Sequence, residues 1–305
     1  MRHLQIYTAI ETIVSHGSIR AAAYTLSISP SALNRQILAF EEDIGIELFD
    51  RVASGVRLST AGEIYFQQFR AHLADLERAK TRVADLAGLR IGHVSIAASI
   101  EFCAHFLPSQ ILFYRRDFPD VTFSVRSTTS ASASDLLAAY EVDLALIAQP
   151  DLTDSFQVLA SADRPLCGIY SAGERSLPED PDRIEIMLEA DLALPSPHLS
   201  SRGRIDGLLR KRRLSVTPSI ELEGPIDPPT TGKRALLQIW PMDDVPQRIA
   251  TSANARLLRL GFLGEPSVRL VLAQRTGRPL PVAAVKFATQ IEQFLSSESA
   301  IVALP

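Results

Sequence analysis

Between residues 16 and 62 the apolar and polar positions follow a helical period, break, resume it, and then shorten to the beat of a hairpin. The spacing predicts a first helix over Ile19–Leu26, whose small central side chains Ala21, Ala22 and Ala23 let another helix approach closely. Leu26, Ser27 and Ile28 form the turn, with Ile28 expected as an apolar plug between two helices. Ser29 suits the cap of the next helix, and Pro30 its first position, where a missing N–H costs nothing. That helix is predicted to run to about Glu42. Leu33, Ile37 and Phe40 form its buried stripe, leaving Ser31, Asn34, Arg35 and Leu38 on the opposite face. Gly45 closes it, Glu47–Arg51 leads into a hairpin turned at Gly55, and Val56–Ser59 returns. Thr60-Ala61-Gly62-Glu63 reads as a capping box that starts a further helix.

Helix, tight turn, helix and hairpin is the plan of a winged helix-turn-helix, which lays its second helix in double-stranded DNA. Hydroxyl, amide and guanidinium groups near that helix's N-terminal end are the groups that read base edges. Asn34 and Arg35 are the candidate base contacts. Ser31, Arg51 and Arg57 are candidate backbone contacts, and Arg20 and Ser29 complete the DNA-facing set. Charge does not help this reading. Residues 1–60 hold five arginines and six acids, five of the acids between 41 and 50, so the arginines must act locally.

From Thr60 to about Ala87, the residues Tyr65, Phe69, His72, Leu76, Ala79, Val83 and Leu86 alternate at spacings of 4 and 3. That is a heptad seam, and it predicts a dimerisation helix with Tyr65, Phe69, Leu76 and Val83 at the contact. The competing reading is one amphipathic helix packed on its own domain. Gly88 ends the helix as a hinge.

A strand–helix alternation begins at Leu89. Strands are expected at 90–99, 121–125 and 142–147, and helices at 107–118 and 136–140, which argues for a parallel α/β sheet. Ligands collect at the carboxyl ends of such strands, here Ser99 and the run Ser127-Thr128-Thr129-Ser130. Their hydroxyls and nearby N–H groups suit a carboxylate or another small anion; singly, each also reads as a cap or a solvated loop residue. Further on, Asp191–Pro195 reads as a strand, Ser200–Arg213 as a helix and Val282–Leu295 as a final amphipathic helix. The proline-rich stretch from Gly224 to Arg234 cannot make a regular helix, so an altered region, or even a locally scrambled reading frame, is expected between about 225 and 255.

The ordered set Gly17-Ser18, Ala21-Ala22, Leu26, Ser29, Leu33, Arg35-Gln36-Ile37, Glu41, Gly45, Leu48-Phe49, Arg51, Leu58-Ser59 and Ala61-Gly62 resembles the N-terminal module of the LysR-type transcriptional regulators. Pro30-Ser31 and Asn34 depart from that pattern on the DNA face, so the sequence read differs even where the docking does not. Gly92-His93-Val94, Ser99, Leu107-Pro108, Phe118-Pro119-Asp120-Val121 and Val142–Leu146 resemble the family's effector domain.

The resemblance implies an α/β chain overall. Residues 1–60 would be a winged helix-turn-helix, 61–88 a long linker helix, and 89–305 a two-lobed effector domain like the periplasmic solute-binding proteins. Lobe I would hold about 89–161 and 266–305, and lobe II about 162–265, starting near Arg164. It implies a small-molecule effector between the lobes, held by Ser99, Thr128, Thr129, Ser130 and Arg202, with a carboxylate as candidate chemistry. It also implies a dimer of dimers, a homotetramer, on an interrupted inverted repeat, with RNA polymerase as a further candidate partner.

With 305 residues, 46% hydrophobic and 22% charged, the chain is long enough for two or three full cores. No apolar run reaches a membrane span, and the N-terminus has no signal-peptide core, so a cytoplasmic protein is expected. The six histidines show no metal-ligand spacing, no GxSxG, P-loop or GxGxxG occurs, and no enzyme activity, cofactor or metal is expected. Two alternatives stay open. A thiol-based redox sensor would use Cys103, near a helix start, or Cys167. An enzyme or ligand-binding protein with an incidental head would not read DNA site-specifically.

Overall fold

The computed structural model describes residues 2–52, 55–86, 91–149, 156–171, 184–227 and 234–296. Contacts divide the chain into two units, residues 1–77 and 78–305.

The first unit is a head of helices α1 (Arg2–His16), α2 (Ile19–Thr25) and α3 (Pro30–Ile44), a hairpin of β1 (Phe49–Val52) and β2 (Gly55–Leu58), and the start of α4 (Thr60–Leu86). Its helix ends are set by neighbouring residues. Ser18 caps α2 by accepting from the Ala21 N–H, and Ser29 caps α3 by accepting from that of Ala32 at 3.2 Å. Gly45 ends α3 with φ +69°, where a side chain would be strained. Ala22 and Ala23 are fully buried, and Leu33, Ile37 and Phe40 join them in one core with Ile10, Ile13 and Leu48.

Three expectations change here. Ile28 is exposed and plugs nothing; Ser27, at φ +56°, turns the chain so that Leu26 packs on the core instead. The cap of α4 is Ser59, which accepts from the Gly62 N–H at 2.9 Å, so the box lies one residue earlier and its third position is glycine rather than glutamate. That glycine is required by packing: a Cβ on Gly62 would stand 2.1 Å from the Leu48 carbonyl oxygen. Finally, Phe69 is buried in the head core against Tyr7 and Phe40, and Tyr65 packs on Phe40 and Phe69. Those two seam positions serve the chain's own head, whereas Leu76 and Val83 are exposed. The Leu86 side chain and the hinge Gly88 lie outside what is described.

The second unit continues with β3 (Gly92–Ser99), α5 (Phe106–Asp117), β4 (Val121–Thr128), α6 (Ser130–Ala138), β5 (Leu144–Ala148) and β6 (Phe156–Ser171). Then come α7 (Ile184–Glu189), β7 (Asp191–Pro195), α8 (Ser200–Lys211), β8 (Ile220–Leu222), β9 (Leu236–Pro241), α9 (Gln247–Ala250), β10 (Ala255–Leu258), β11 (Ser267–Arg275) and α10 (Val282–Ser296). Short 3-10 turns at Ile100–Phe102 and Met242–Asp244 follow β3 and β9.

The strand order is β4-β3-β5-β11-β6-β9-β7-β8, with β10 also paired to β6. β3 is parallel to β4 and β5, and β7 is parallel to β8 and β9. β6 joins the two parallel groups because its 16 residues change partner part-way along. Phe156–Pro165 pair antiparallel with β11, and Leu166–Ser171 pair with β9. The change of partner falls between Pro165 and Leu166. α10 returns to lobe I, where the Tyr114 hydroxyl donates to the Ala283 carbonyl at 3.1 Å.

The proline-rich stretch meets a mixed outcome. Residues 228–233 lie outside the described set. After them, β9 is fully buried and central, followed by a 3-10 turn, α9 and β10. Regular helix–strand density from residue 236 onwards removes the scrambled-frame idea. Leu236–Pro241 is six apolar or neutral residues, which a sheet strand buried on both faces can absorb.

Candidate nucleic-acid interface and inter-lobe cleft

On α3 the side of the cylinder away from Leu33, Ile37 and Phe40 carries Ser31 and Arg35 exposed and Asn34 half-buried. Arg20 on α2 and Arg51 on β1 are exposed, and neither they nor Arg35 forms an ion pair among the described residues. Arg57 stands opposite Asp50 in the hairpin register and lies 3.7 Å from its carboxylate, both exposed, a pair that water weakens strongly. Ser29 commits its hydroxyl to the α3 cap and a 3.2 Å contact with Ser31.

The hairpin is aimed by Glu41, whose carboxylate accepts the N–H groups of Leu48 at 2.6 Å and Phe49 at 3.2 Å. A groove of about 640 Å³ between α3 and the hairpin is lined by Asn34, Leu38, Glu42, Glu47, Asp50 and Arg51 among others. Its acids disfavour phosphate within the groove, and Arg20, Arg35 and Arg57 lie outside its lining. Ordering of α3, the hairpin and these cations suits a duplex groove flanked by its phosphates.

In the second unit, Ser99 and Ser130 meet around one residue, Ala148. The Ala148 N–H donates to Ser99 Oγ at 2.9 Å, and Ser130 Oγ donates to the Ala148 carbonyl at 2.6 Å. Ser200, from lobe II, donates to the same carbonyl at 3.0 Å and lies 3.1 Å from Ser130 Oγ. Thr129 caps α6 by accepting from the Ser132 N–H, and Thr128 ends β4 half-buried. Arg202 is engaged by neighbouring groups. Its guanidinium is bound to Asp206 and Glu221 and to the Pro195 carbonyl, each near 3.0 Å, all within its own lobe.

The residues that bridge the lobes were not expected. Glu101, 2% exposed in the turn after β3, accepts the Ser201 N–H of α8 at 2.7 Å. Asp244, fully buried in the turn after β9, accepts the N–H groups of Ala104, His105 and Phe106 at the start of α5 and the Trp240 indole N–H. Burial pushes the Asp244 carboxyl up to about 7 against the pull of those four donors, and burial also raises that of Glu101. Beside them, Arg164 and Asp243 form a bidentate pair, with contacts of 2.5 and 2.6 Å and each at most 4% exposed.

These groups face the wrong way for redox chemistry at the cysteines. Burial, reinforced by the charges of Asp244 and Glu101, holds the Cys103 thiol up to about 11, and burial holds Cys167 up to about 12. A reactive thiol is favoured by the opposite shift. The Cys103 site also precedes the helix rather than heading it, since α5 starts at Phe106.

Two family models match in succession: the bacterial regulatory helix-turn-helix of the lysR family over residues 2–63, and the LysR substrate binding domain over residues 87–225. The chain belongs to the LysR-type transcriptional regulators. Similar members include the nitrogen assimilation regulatory protein nac of Klebsiella aerogenes, 26% identical over 86% of this chain and 84% of its own. Another is the transcriptional activator protein LysR of Escherichia coli, 30% identical over 48% of this chain and 46% of its own. Among solved structures, a full-length OxyR variant from Pseudomonas aeruginosa has a TM-score of 0.62 at 17% identity, covering 94% of each chain. Full-length CbnR with its target DNA has a TM-score of 0.60 at 15% identity, covering 95% of this chain and 98% of its own. At these identities the likeness shows the fold.

As a LysR-type regulator the chain pairs a DNA-binding head with an effector-binding domain. No helix among the described residues is long and apolar enough to cross a membrane, and no His, Cys, Asp and Glu cluster among them could hold a metal ion. Sequence reasoning missed Glu101, Arg164, Asp243 and Asp244. The available signal was an acidic pair just after the apolar run Leu236–Pro241, where a charge must be buried with the strand.

Proposed function

We propose that this LysR-type regulator reads a specific operator through α3, with Asn34 and Arg35 on base edges. Ser29, Ser31, Arg20, Arg51 and Arg57 hold the flanking phosphates. The observation that carries this reading is the polar outer face of α3, with Arg35 exposed and outside any ion pair among the described residues. Full-length CbnR, a protein of the same fold, has been solved with its target DNA, which supports the docking.

Affinity comes from multiplicity rather than net charge, since residues 1–60 carry more acids than bases. Two heads, joined through the exposed Leu76 and Val83 of α4, read an interrupted inverted repeat, and pairs of dimers form the tetramer. The chain acts in the cytoplasm, as a regulator rather than an enzyme, with RNA polymerase as the machinery it influences. The effector is a small carboxylate bound between the lobes beside Ser99, Thr128, Thr129 and Ser130. It must bind one lobe arrangement better than the other to shift the population of DNA-competent heads.

The test is gel retardation of the DNA upstream of this protein's own coding region, with salt varied and Arg35→Ala as control. Tight binding that weakens with salt and disappears in the variant supports the reading. Absent binding, or equal binding by both proteins, overturns it.

A further inference from the structure

The chain passes twice between the strand group β3, β4, β5, β11 and the group β7, β8, β9, β10. The first passage is inside β6, where pairing changes from β11 to β9 after Pro165. The second is the segment 259–266, which leads from β10 back to β11. The two are tied together where the Leu166 N–H donates to the Pro266 carbonyl at 2.7 Å. The second passage is tightly wound: Leu260, Gly264 and Glu265 have φ of +59°, +82° and +51°, and Leu260 is fully buried. Non-glycine residues rarely adopt this conformation, and two within one short segment persist only where the surrounding structure holds them.

A cavity of about 260 Å³ lies between the passages. β6 lines it with Asp163, Pro165 and Leu166, the second passage with Arg259 and Glu265, and the turn after β9 with Met242. Leu166 and Met242 are buried and make an apolar surface, whereas Asp163, Arg259 and Glu265 are exposed. Two carboxylates and a guanidinium thus line one small cavity, yet none of the three side chains forms an ion pair or hydrogen bond with a described residue. Unspent charges of both signs around an apolar surface complement a ligand that carries both charges and an apolar body. The volume falls just short of a drug-sized pocket and suits a molecule of amino-acid size. Neither Ser99 nor any residue of the run 127–130 lines it, so it is distinct from the hydroxyl cluster around Ala148.

We propose that this cavity is a second ligand site, for a small α-amino acid with an apolar side chain. The ammonium sits between Asp163 and Glu265, the carboxylate on Arg259, and the side chain against Leu166 and Met242. Water competes for all three charged groups, so the affinity is modest. Because both passages contribute to the lining, affinity depends on how the two strand groups are disposed, and occupancy favours one disposition.

The test is thermal unfolding of the full chain titrated with L-leucine and with L-methionine. N-acetyl-L-leucine, which lacks the ammonium, and L-leucinamide, which lacks the carboxylate, serve as controls. At least one of the two amino acids should raise the melting temperature of the second unit saturably, by roughly 4 °C at about 20 mM. The two blocked compounds should raise it by less than about 1 °C. Arg259→Gln and Asp163→Asn alter exposed side chains that no described residue engages, so both should fold as the wild type does and lose the response. Thr128→Ala, at the cleft, should keep it. No saturable rise with either amino acid, or an equal rise with a blocked compound, overturns the proposal. So does a rise that survives Arg259→Gln or is lost in Thr128→Ala, since either places the ligand elsewhere.

Discussion

In the head, Ser18 and Ser29 each cap the helix they precede, and the polar groups proposed to meet DNA stand in solvent on α3 and the hairpin. In the effector unit the helices at the cleft are capped by Asp244 and Glu101 from distant turns, and the polar groups that matter are buried and already bonded. The difference follows from what each surface must meet. DNA arrives with its own charge and needs unoccupied donors waiting in water. A cleft between lobes must stay satisfied when it is empty, because a buried donor without a partner costs about 1–3 kcal/mol. So the head is rigidified by local bonds and the effector unit by bonds that depend on lobe arrangement. The second kind can be switched.

That contrast can be broken at several strengths. The largest effect is expected from Asp243→Ala, which leaves Arg164 charged, buried and unpaired; denaturant unfolding of the second unit should lose about 3–5 kcal/mol. A loss below about 1 kcal/mol would mean that the pair is not what fastens β6 to the turn after β9. Next comes Gly62→Ala, the head's counterpart. Its Cβ would meet the Leu48 carbonyl oxygen at 2.1 Å, and the backbone must give way. About 3 kcal/mol should be lost from the head by chemical denaturation, the upper range of overpacking, with the effector unit's transition unmoved. Ser29→Ala should cost the head only about 1 kcal/mol, because one local cap is removed and water can replace it.

A subtler separation is in pH. With its carboxyl raised to about 7 in the fold and near the ordinary 3.8 when unfolded, Asp244 keeps its proton in the native state over a window where the unfolded chain has released it. Stability contributed this way is complete below about pH 4, declines as pH rises toward about 7, and then stays level. The difference between wild-type and Asp244→Asn melting temperatures should follow that slope. A flat difference from about pH 4 to 8 would place the Asp244 carboxyl in the ordinary range. The caps of α2 and α3 in the head are neutral serines, so removing either should shift its melting by the same amount across that window.

The same contrast governs what can be read from the chain alone. Ser29-Pro30, Gly45 and the stripe Leu33, Ile37, Phe40 lie within a few residues of the groups they satisfy, so spacing reveals both α3 and its outer face. Ile28 misleads because apolar character does not say which way a turn points, and Ser27's positive φ sends Leu26 inward. The heptad seam of α4 is visible, but periodicity cannot tell a second copy from the chain's own head, and Tyr65 and Phe69 pack on the latter. Arg202 lies on α8 as the spacing predicts, yet its i+4 partner Asp206 and the incoming Glu221 take its donors. Glu101 is silent in the sequence, and the acidic pair at Asp243–Asp244 hints at burial but not at its partners; those lie 100 and about 140 residues away, and only the sheet order brings them together.

The most direct test of the central claim is the ratio of specific to nonspecific DNA affinity at fixed salt for wild type, Arg35→Ala and Arg51→Ala. If α3 reads bases and the hairpin holds phosphate, Arg35→Ala should cut the ratio by about 10- to 100-fold, with thermal stability unchanged. Arg51→Ala should weaken both affinities alike and lower the salt slope by about one. An Arg35→Ala protein that keeps the wild-type ratio would contradict the account.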